Sequence, residues 1–218
     1  MPSPGEILDG LTYIANTWSE VAVAWHFAIG GLLAALISGW RPTKRQFILI
    51  AALPLVSVSI FAWLTKNPFN GVLFALGAGA LVAVGATLPA SAVRRASHPL
   101  ALVGFATVAF GWVYPHFLQS GSAVRYLYAA PIGLVPCPTL AVVVGLALLA
   151  GGLESRAWSI MLAVFALFYG LFGTLRLGVY LDIGLIVGAT ALFVVGIRMG
   201  RVNQTATSSR VRSVASQR

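Results

Sequence analysis

The chain has 218 residues, of which 59% are hydrophobic and only 9% are charged, and its formal net charge is +9. A soluble domain carries about 25% charged residues, because its surface must face water. So low a charge content, with a mean hydropathy of +0.90, excludes an ordinary water-soluble fold and predicts a protein whose surface faces lipid. The single cysteine, Cys137, excludes intramolecular disulfides and CxxC redox pairs.

The N-terminal segment 1–20 predicts a short amphipathic helix. Ser3, Pro4 and Glu6 fit the N-cap, N1 and N3 positions of a capping box. Apolar residues then recur at helical spacing. Two placements are open: the helix lies on the outer membrane surface, or it packs across the mouth of a helix bundle. No basic region precedes the first apolar block, so we expect no cleavable signal peptide.

Residues 21–198 contain apolar blocks of about 20 residues, the length that a helix needs to cross roughly 30 Å of hydrocarbon. These blocks lack the alternation of an outer-membrane barrel. We therefore predict an all-α fold, a polytopic transmembrane helix bundle with about seven spans. The predicted spans cover approximately 21–39, 46–64, 70–90, 100–118, 130–152, 157–175 and 180–198.

The basic residues predict an orientation for this bundle. If the N-terminus lies outside, the inside segments hold eleven basic residues and the outside segments hold three, Lys66, Arg125 and Arg176. Because cationic loops resist translocation, this asymmetry favours an N-out, C-in topology. Residues 199–218 are polar, basic and without apolar periodicity, which predicts a disordered cytoplasmic tail. A nucleic-acid interface is not expected, since the charges are not clustered on an ordered surface.

Two spans carry small residues at four-residue spacing, which is typical of close helix contact in membranes. Ala75, Gly79, Ala83 and Thr87 form one such row in the third predicted span. Gly184 and Gly188 repeat the spacing in the last span. Both rows indicate packing rather than chemistry.

The most unusual segment is Ala130–Thr139, where three prolines break the start of the fifth predicted span. A break at membrane depth leaves backbone groups that protein, water or a ligand must satisfy. One interpretation is a thiol-reactive or soft-metal site, or a substrate-contacting broken helix; the other is a shaped helix start in which cysteine is a small filler. One cysteine supplies only one ligand, so no metal or cofactor is predicted. The candidate residues here are Pro136, Cys137, Pro138 and Thr139.

Other polar residues are predicted near the same outer level. They are Glu20, His116, Arg125, Arg176 and Asp182. They suggest either a polar vestibule around Cys137 or, for Arg176 and Asp182, an interfacial salt bridge that ties two helix ends. His116 is a candidate proton acceptor or a surface histidine in an aromatic belt. His26 lies inside the first span, where it either acts chemically or hydrogen-bonds a neighbouring helix.

Several membrane chemistries are excluded by missing residues. A retinal protein needs a lysine in the last span, and none lies there. HExxH, Walker-type loops and paired intramembrane carboxylates are missing. Three scattered histidines do not provide the matched pairs that di-haem binding needs. Transport of a small solute or ion, a thiol- or metal-dependent membrane enzyme, and an accessory subunit of a membrane complex remain as hypotheses.

Four segments carry a resemblance to a known family. They are Tyr114-Pro115, Pro136–Thr139, the stretch 178–185 and the Asn-Pro-Phe-Asn turn at 67–70. The chain resembles a bacterial family of uncharacterised multi-helix integral membrane proteins with an Ala-Pro-Cys-Pro-Thr signature. It differs in having Val135 at the signature alanine and Val124 at an expected histidine. The resemblance implies a multi-pass protein of the bacterial cytoplasmic (inner) membrane and no established activity.

Of the three hypotheses we favour transport over enzymatic activity, because a compact bundle without a soluble domain has few other common uses. The expected partners are the lipid bilayer and a small solute or ion. A second copy of the chain or another membrane protein is a further candidate partner.

Overall fold

The computed structural model describes residues 3–119 and 122–215, with side chains to residue 199. The described residues form helices joined by turns, which confirms the predicted all-α class. The α-helices are α1 (Pro4–Thr17), α2 (Ser19–Ile37), α3 (Lys44–Leu64), α4 (Pro68–Ala86), α5 (His98–Val113), α6 (Tyr126–Ala129), α7 (Pro136–Leu149), α8 (Arg156–Leu171) and α9 (Ile183–Ala215). Short 3₁₀ turns cover Ala123–Arg125, Gly151–Glu154 and Tyr180–Asp182, and a π-helical turn covers Phe172–Arg176.

Five helical segments of the described chain are long and apolar enough to cross a membrane. They are Ser19–Ile37, Lys44–Leu64, Pro68–Ala86, Arg156–Arg176 and Tyr180–Met199. Two further apolar helices are shorter, α5 with 16 residues and α7 with 14. The described part of the chain is therefore all-helical, with five candidate membrane spans, as is consistent with a membrane protein. The count of seven and the orientation stay predictions.

Helix α1 has the predicted capping box. The Ser3 side chain accepts from the Glu6 backbone N–H, and the Glu6 carboxylate accepts from the Ser3 backbone N–H. The apolar face of α1 is buried against the bundle through Leu11, Ile14 and Ala15. Asn16 donates to the carbonyl of Phe117 in the loop after α5. Helix α1 therefore packs across one end of the bundle, and its position relative to a membrane surface stays a prediction.

Helix α7 is the centre of the bundle, because every residue of Pro136–Leu148 is buried. Its closest partner is α5, which it meets at glycines on both helices. A Cβ added at Gly145 would lie 2.6 Å from the Val108 backbone nitrogen, and one at Gly111 would lie 2.7 Å from the Pro138 carbonyl oxygen. The two backbones approach this closely because no side chain separates them.

The two rows of small residues behave differently. Gly184 and Gly188 of α9 pack against Phe110 and Thr107 of α5, so close contact is confirmed there. In contrast, Ala75, Gly79, Ala83 and Thr87 are all exposed, so this row makes no close helix contact within the described chain.

Helix α4 instead buries a neighbouring row, Phe74, Ala78, Leu81 and Gly85. A strict four-residue spacing drifts by about 40° per step around a helix with 3.6 residues per turn. The buried row alternates steps of four and three and therefore keeps facing α3.

Helix α9 continues as helical backbone to Ala215, into the segment 199–218 for which the sequence predicts a disordered tail. No proline lies between Gly200 and Ala215, and adding residues to an existing helix is easier than starting one. The membrane-level part of α9 can therefore nucleate its polar extension. Whether the tail is disordered in solution stays a prediction.

An ion-pair network ties three segments at the end of the bundle that holds the start of α3. Lys44 Nζ lies 2.9 Å from Glu154 Oε2, and Arg94 Nη1 lies 3.0 Å from Glu154 Oε1. Lys44 is only 5% exposed, so Glu154 supplies the opposite charge that a buried ammonium needs. The hydrogen bond from Lys44, followed by the charges of Lys44 and Arg94, lowers the pKa of Glu154 below its usual range.

This network predicts an acid-sensitive component of stability. Because the folded protein lowers the pKa of Glu154, the stabilisation is present above the ordinary value of 4.5 and is lost as pH falls through the folded-state pKa. We expect Glu154→Gln to lower the free energy of unfolding by about 1 to 3 kcal/mol at neutral pH. This loss is smaller than that for breaking a fully buried ion pair, because Glu154 is partly solvated. Thermal unfolding in detergent from neutral to acid pH measures this. The variant should lose less stability on acidification than wild type, and the exposed Glu20→Gln control should behave like wild type; parallel curves for Glu154→Gln would contradict the assignment.

Candidate functional site

The candidate site is centred on a buried carboxyl, that of Asp182, which is 2% exposed. The Tyr114 hydroxyl donates to Asp182 Oδ1 at 2.5 Å, and the Cys137 thiol donates to Asp182 Oδ2 at 3.1 Å. Tyr114 ends α5, Cys137 begins α7, and Asp182 precedes α9. We call these three residues the Asp182 cluster, and it joins three helix termini at one level of the bundle.

Asp182 reaches this position through the two irregular turns that join α8 to α9. The π-helical turn Phe172–Arg176 places Gly173 directly beside the carboxyl, and a Cβ there would overlap Asp182 Oδ2. The Val179 backbone N–H donates to the Gly173 carbonyl at 2.9 Å. Gly173 therefore provides the space in which the Asp182 carboxyl lies.

Cys137 is held by the broken start of α7. Val135 is extended, Pro136 opens the helix, and the thiol of Cys137 follows in its first turn. The Cys137 sulfur is also 3.9 Å from the Tyr169 carbonyl oxygen. A thiol has one hydrogen to donate, so the shorter contact, with Asp182, is the principal one.

Thr139 satisfies the backbone groups that the break would otherwise leave unpaired. Its hydroxyl accepts from the Gly133 backbone N–H at 2.8 Å and donates to the Val135 carbonyl at 2.7 Å. The segment 129–135 before the helix is buried throughout. The sequence left open whether protein, water or a ligand satisfies the backbone groups at the break. The Thr139 side chain satisfies two of them, so the protein itself supplies these partners.

A second buried polar pair lies beside the Asp182 cluster. The Tyr169 hydroxyl donates to Asn70 Oδ1 at 3.0 Å, and both residues are buried. Asn70 belongs to the first turn of α4, and Tyr169 to α8. The Asp182 cluster approaches this pair through the 3.9 Å contact between the Cys137 sulfur and the Tyr169 backbone carbonyl, whereas Asn70 binds the hydroxyl at the other end of the Tyr169 side chain.

The predicted salt bridge between Arg176 and Asp182 is wrong. Arg176 is exposed and forms no ion pair with any residue whose side chain the structure describes. The Asp182 carboxyl points inward to Tyr114 and Cys137 instead. The turn Tyr180–Asp182 rotates it away from the surface on which Arg176 lies.

The predicted vestibule is only partly assembled, because Asp182 alone of its five members contacts Cys137. Glu20 is exposed in the first turn of α2, and Arg125 is half-buried at the end of a 3₁₀ turn. His116 is half-buried, with its ring edge against Phe117 at a centroid distance of 4.3 Å. These side chains lie around the same end of the bundle without converging on the thiol.

His26 links α2 to α5, which agrees with the interpretation that this histidine hydrogen-bonds a neighbouring helix. Its Nδ1 lies 2.8 Å from the Ala22 carbonyl oxygen and its Nε2 lies 3.0 Å from the Trp112 carbonyl oxygen. The ring also meets the Trp112 indole edge-on at 4.7 Å. A neutral imidazole donates only one hydrogen, so one of the two carbonyl contacts is a hydrogen bond in that form.

Sequence reasoning missed Tyr114, Tyr169 and Asn70 as members of a polar site. Tyr114 stood out only as part of a Tyr-Pro pair, and Asn70 only as a turn residue. A buried tyrosine needs a partner for its hydroxyl, which was the available signal for Tyr114 and Tyr169. The partner itself could not be named without the fold.

Among the described residues, no group of three or more histidine, cysteine or acidic side chains is placed to hold a metal ion. Comparison of the chain with models of protein families, with curated proteins and with solved structures finds no match. The resemblance to the Ala-Pro-Cys-Pro-Thr family stays a prediction. The geometry of the Asp182 cluster is therefore the main indication of function.

Proposed function

We propose that the chain is a membrane transport protein that moves a small solute or ion, with Asp182 as its proton-carrying group. The observation that supports this is a carboxyl buried in an apolar bundle with a hydroxyl and a thiol as its partners. No described side chain forms an ion pair with it. Ionisable groups at membrane depth are costly and usually mark proton or ion pathways.

The chemistry of the cluster links protonation to packing. An ionised Asp182 accepts hydrogen bonds from both Tyr114 and Cys137. A protonated Asp182 carries a hydrogen on one oxygen, which then acts as a donor, so one of the two contacts weakens. Tyr114 follows α5 and Cys137 begins α7. A proton on Oδ2, the oxygen that faces Cys137, weakens the contact with the thiol and so loosens the broken start of α7 from α9. We propose that this loosening opens a path for the solute.

We further propose seven crossings, N-out and C-in, in a bacterial cytoplasmic membrane. Helices α5 and α7 would rise about 24 and 21 Å at 1.5 Å per residue, short of a full span by themselves. The buried segment 129–135 extends α7 across the remaining depth, where irregular backbone is tolerated if protein surrounds it. A cytoplasm-dependent reporter fused after Arg218 should be active, and activity only of a periplasm-dependent reporter would reject the orientation.

Two observations favour other functions. Cys137 is 9% exposed and α7 is buried from Pro136 to Leu148, which suits an accessory subunit in which the Asp182 cluster only holds the helices together. Alternatively, Asp182 Oδ2 lies 3.1 Å from the Cys137 sulfur, where a carboxylate can take a thiol proton and activate a nucleophile. The proposed transport requires an opening of α7 that the packed arrangement does not contain.

One experiment tests transport against the other two functions. Purified protein in liposomes containing a pH-sensitive dye would be offered amino acids, sugars, organic acids and monovalent cations in turn. Transport predicts that at least one compound moves protons inward, that Asp182→Asn abolishes this movement, and that Cys137→Ser retains it, because serine still donates to Asp182. A thiol enzyme loses function in Cys137→Ser. Proton movement that is unchanged in Asp182→Asn, or none with wild type across the panel, would reject the proposal.

A further inference from the structure

A pocket of about 280 Å³ lies at the end of the bundle opposite the Asp182 cluster. It opens where α2 and α5 separate. The two helices are joined at their other halves, where His26 contacts the Trp112 carbonyl at 3.0 Å and Gly30 approaches the Trp112 ring. Both helices line the pocket, and the ends of α3 and α7 contribute Phe47 and Leu149 to its lining.

The rim of the pocket is basic. Arg41, Arg94, Arg95 and His98 all line it. Arg94 is balanced by Glu154, at 3.0 Å. Arg41 and Arg95 form no ion pair with a described residue, so the rim keeps a net positive charge.

Arg41 is also fixed in place. Its Nη1 donates to the carbonyls of Leu36 at 3.2 Å and Trp40 at 3.0 Å. A guanidinium has five N–H donors, and these two bonds leave others for a ligand. The first turn of α5 adds backbone N–H groups at the same rim, since Ser97 caps it without a side-chain hydrogen bond.

The body of the pocket is apolar and faces the lipid zone. Leu33, Ile37 and Phe105 line it, and the latter two are 66% and 43% exposed on the outside of the bundle. The pocket therefore opens sideways between two membrane-level helices rather than only toward water. A basic rim above an apolar slot matches a molecule with an anionic head and a hydrocarbon tail.

We infer that this pocket binds one anionic phospholipid, with its phosphate at Arg41 and Arg95 and the start of an acyl chain in the slot beside Leu33. Basic pockets between membrane helices are a recognised form of lipid headgroup site. The volume of about 280 Å³, just below the range of about 300–1,000 Å³ typical of pockets that enclose a whole ligand, fits a headgroup and the first methylene groups. This inference is independent of the transport proposal, because it uses neither Asp182 nor Cys137.

Native mass spectrometry of the delipidated full chain tests it. Dioleoylphosphatidylglycerol should give one retained lipid, and dioleoylphosphatidylcholine should be retained much more weakly. Arg95→Gln should weaken phosphatidylglycerol binding about fivefold, the effect of one basic charge near a membrane surface. Leu33→Trp should also weaken it by filling the slot without changing any charge. Arg176→Gln, an exposed arginine at the other end, is the matched control and should bind like wild type.

Each contrary result rejects a different part of the inference. Equal retention of the two lipids would remove the role of charge. An Arg95→Gln variant that binds like the Arg176→Gln control would place the lipid elsewhere. Competition by inorganic phosphate at the concentration of lipid would assign the rim to a soluble anion instead. Arg95 is exposed, so unchanged thermal unfolding of its variant is expected and keeps a negative result interpretable.

Discussion

Gly173→Ala is expected to destabilise the protein by about 3 kcal/mol or more. The added methyl would overlap Asp182 Oδ2, and overpacking a tight site costs about 1 to 3 kcal/mol. Moving the carboxyl would also leave the Tyr114 hydroxyl without its acceptor, which adds about 1 to 3 kcal/mol for an unsatisfied buried group. Thermal unfolding in detergent measures the loss.

The matched control for this variant is Gly79→Ala. Gly79 lies in α4 with no neighbouring atom within 4 Å of an added Cβ. Alanine is the better helix former there, so the control should be neutral or slightly stabilising. If Gly173→Ala and Gly79→Ala unfold at the same temperature, the Asp182 carboxyl is not held beside Gly173.

Gly133→Ala is the second substitution with a large expected effect, again about 3 kcal/mol. Gly133 has φ +75°, a left-handed conformation that costs a side chain about 1 to 2 kcal/mol. The new methyl would also overlap the Trp25 indole, whose Nε1 donates to Ser57 Oγ at 3.0 Å. The substitution therefore strains the break before α7 and disturbs the α2–α3 contact together.

A double-mutant cycle separates these two causes. Trp25→Ala removes the overlap but not the backbone strain, so Gly133→Ala should cost less in that background, by 1 kcal/mol or more. The measurement is the free energy of unfolding of the four proteins. Strictly additive effects would mean that Gly133 does not pack against Trp25.

The sequence was a good guide to helices and a weak guide to their ends. Apolar blocks predicted every long helix, and Ser3 and Glu6 predicted the cap of α1. The predicted spans 100–118 and 130–152 were longer than α5 and α7. Hydropathy predicts which residues are buried and not which are helical. The buried residues after Tyr114 and before Pro136 are mostly apolar, so they extended the predicted spans although they lie outside α5 and α7.

The candidate site was half predictable. The prolines around Cys137 predicted a break whose backbone groups need partners, and Thr139 is one of them. The contact between Cys137 and Asp182 was not predictable from the sequence. A charged residue in a turn is expected at the surface, and Arg176 was the nearest residue of opposite charge in the sequence. Only the π-helical turn at Phe172–Arg176, with the space at Gly173, sends the carboxyl inward, and no local pattern signals it.

The central claim is that the Asp182 cluster opens to water and does not stay permanently packed. The reactivity of the Cys137 thiol tests it most directly. Because Cys137 is the single cysteine, a membrane-impermeant maleimide reports on this site alone in intact cells. We expect slow labelling from outside that is limited by opening of α7, and faster labelling in Asp182→Asn, where the hydrogen bond that holds the thiol is weakened. Complete protection of the folded protein, in cells and in detergent, with full labelling only after denaturation, would contradict it.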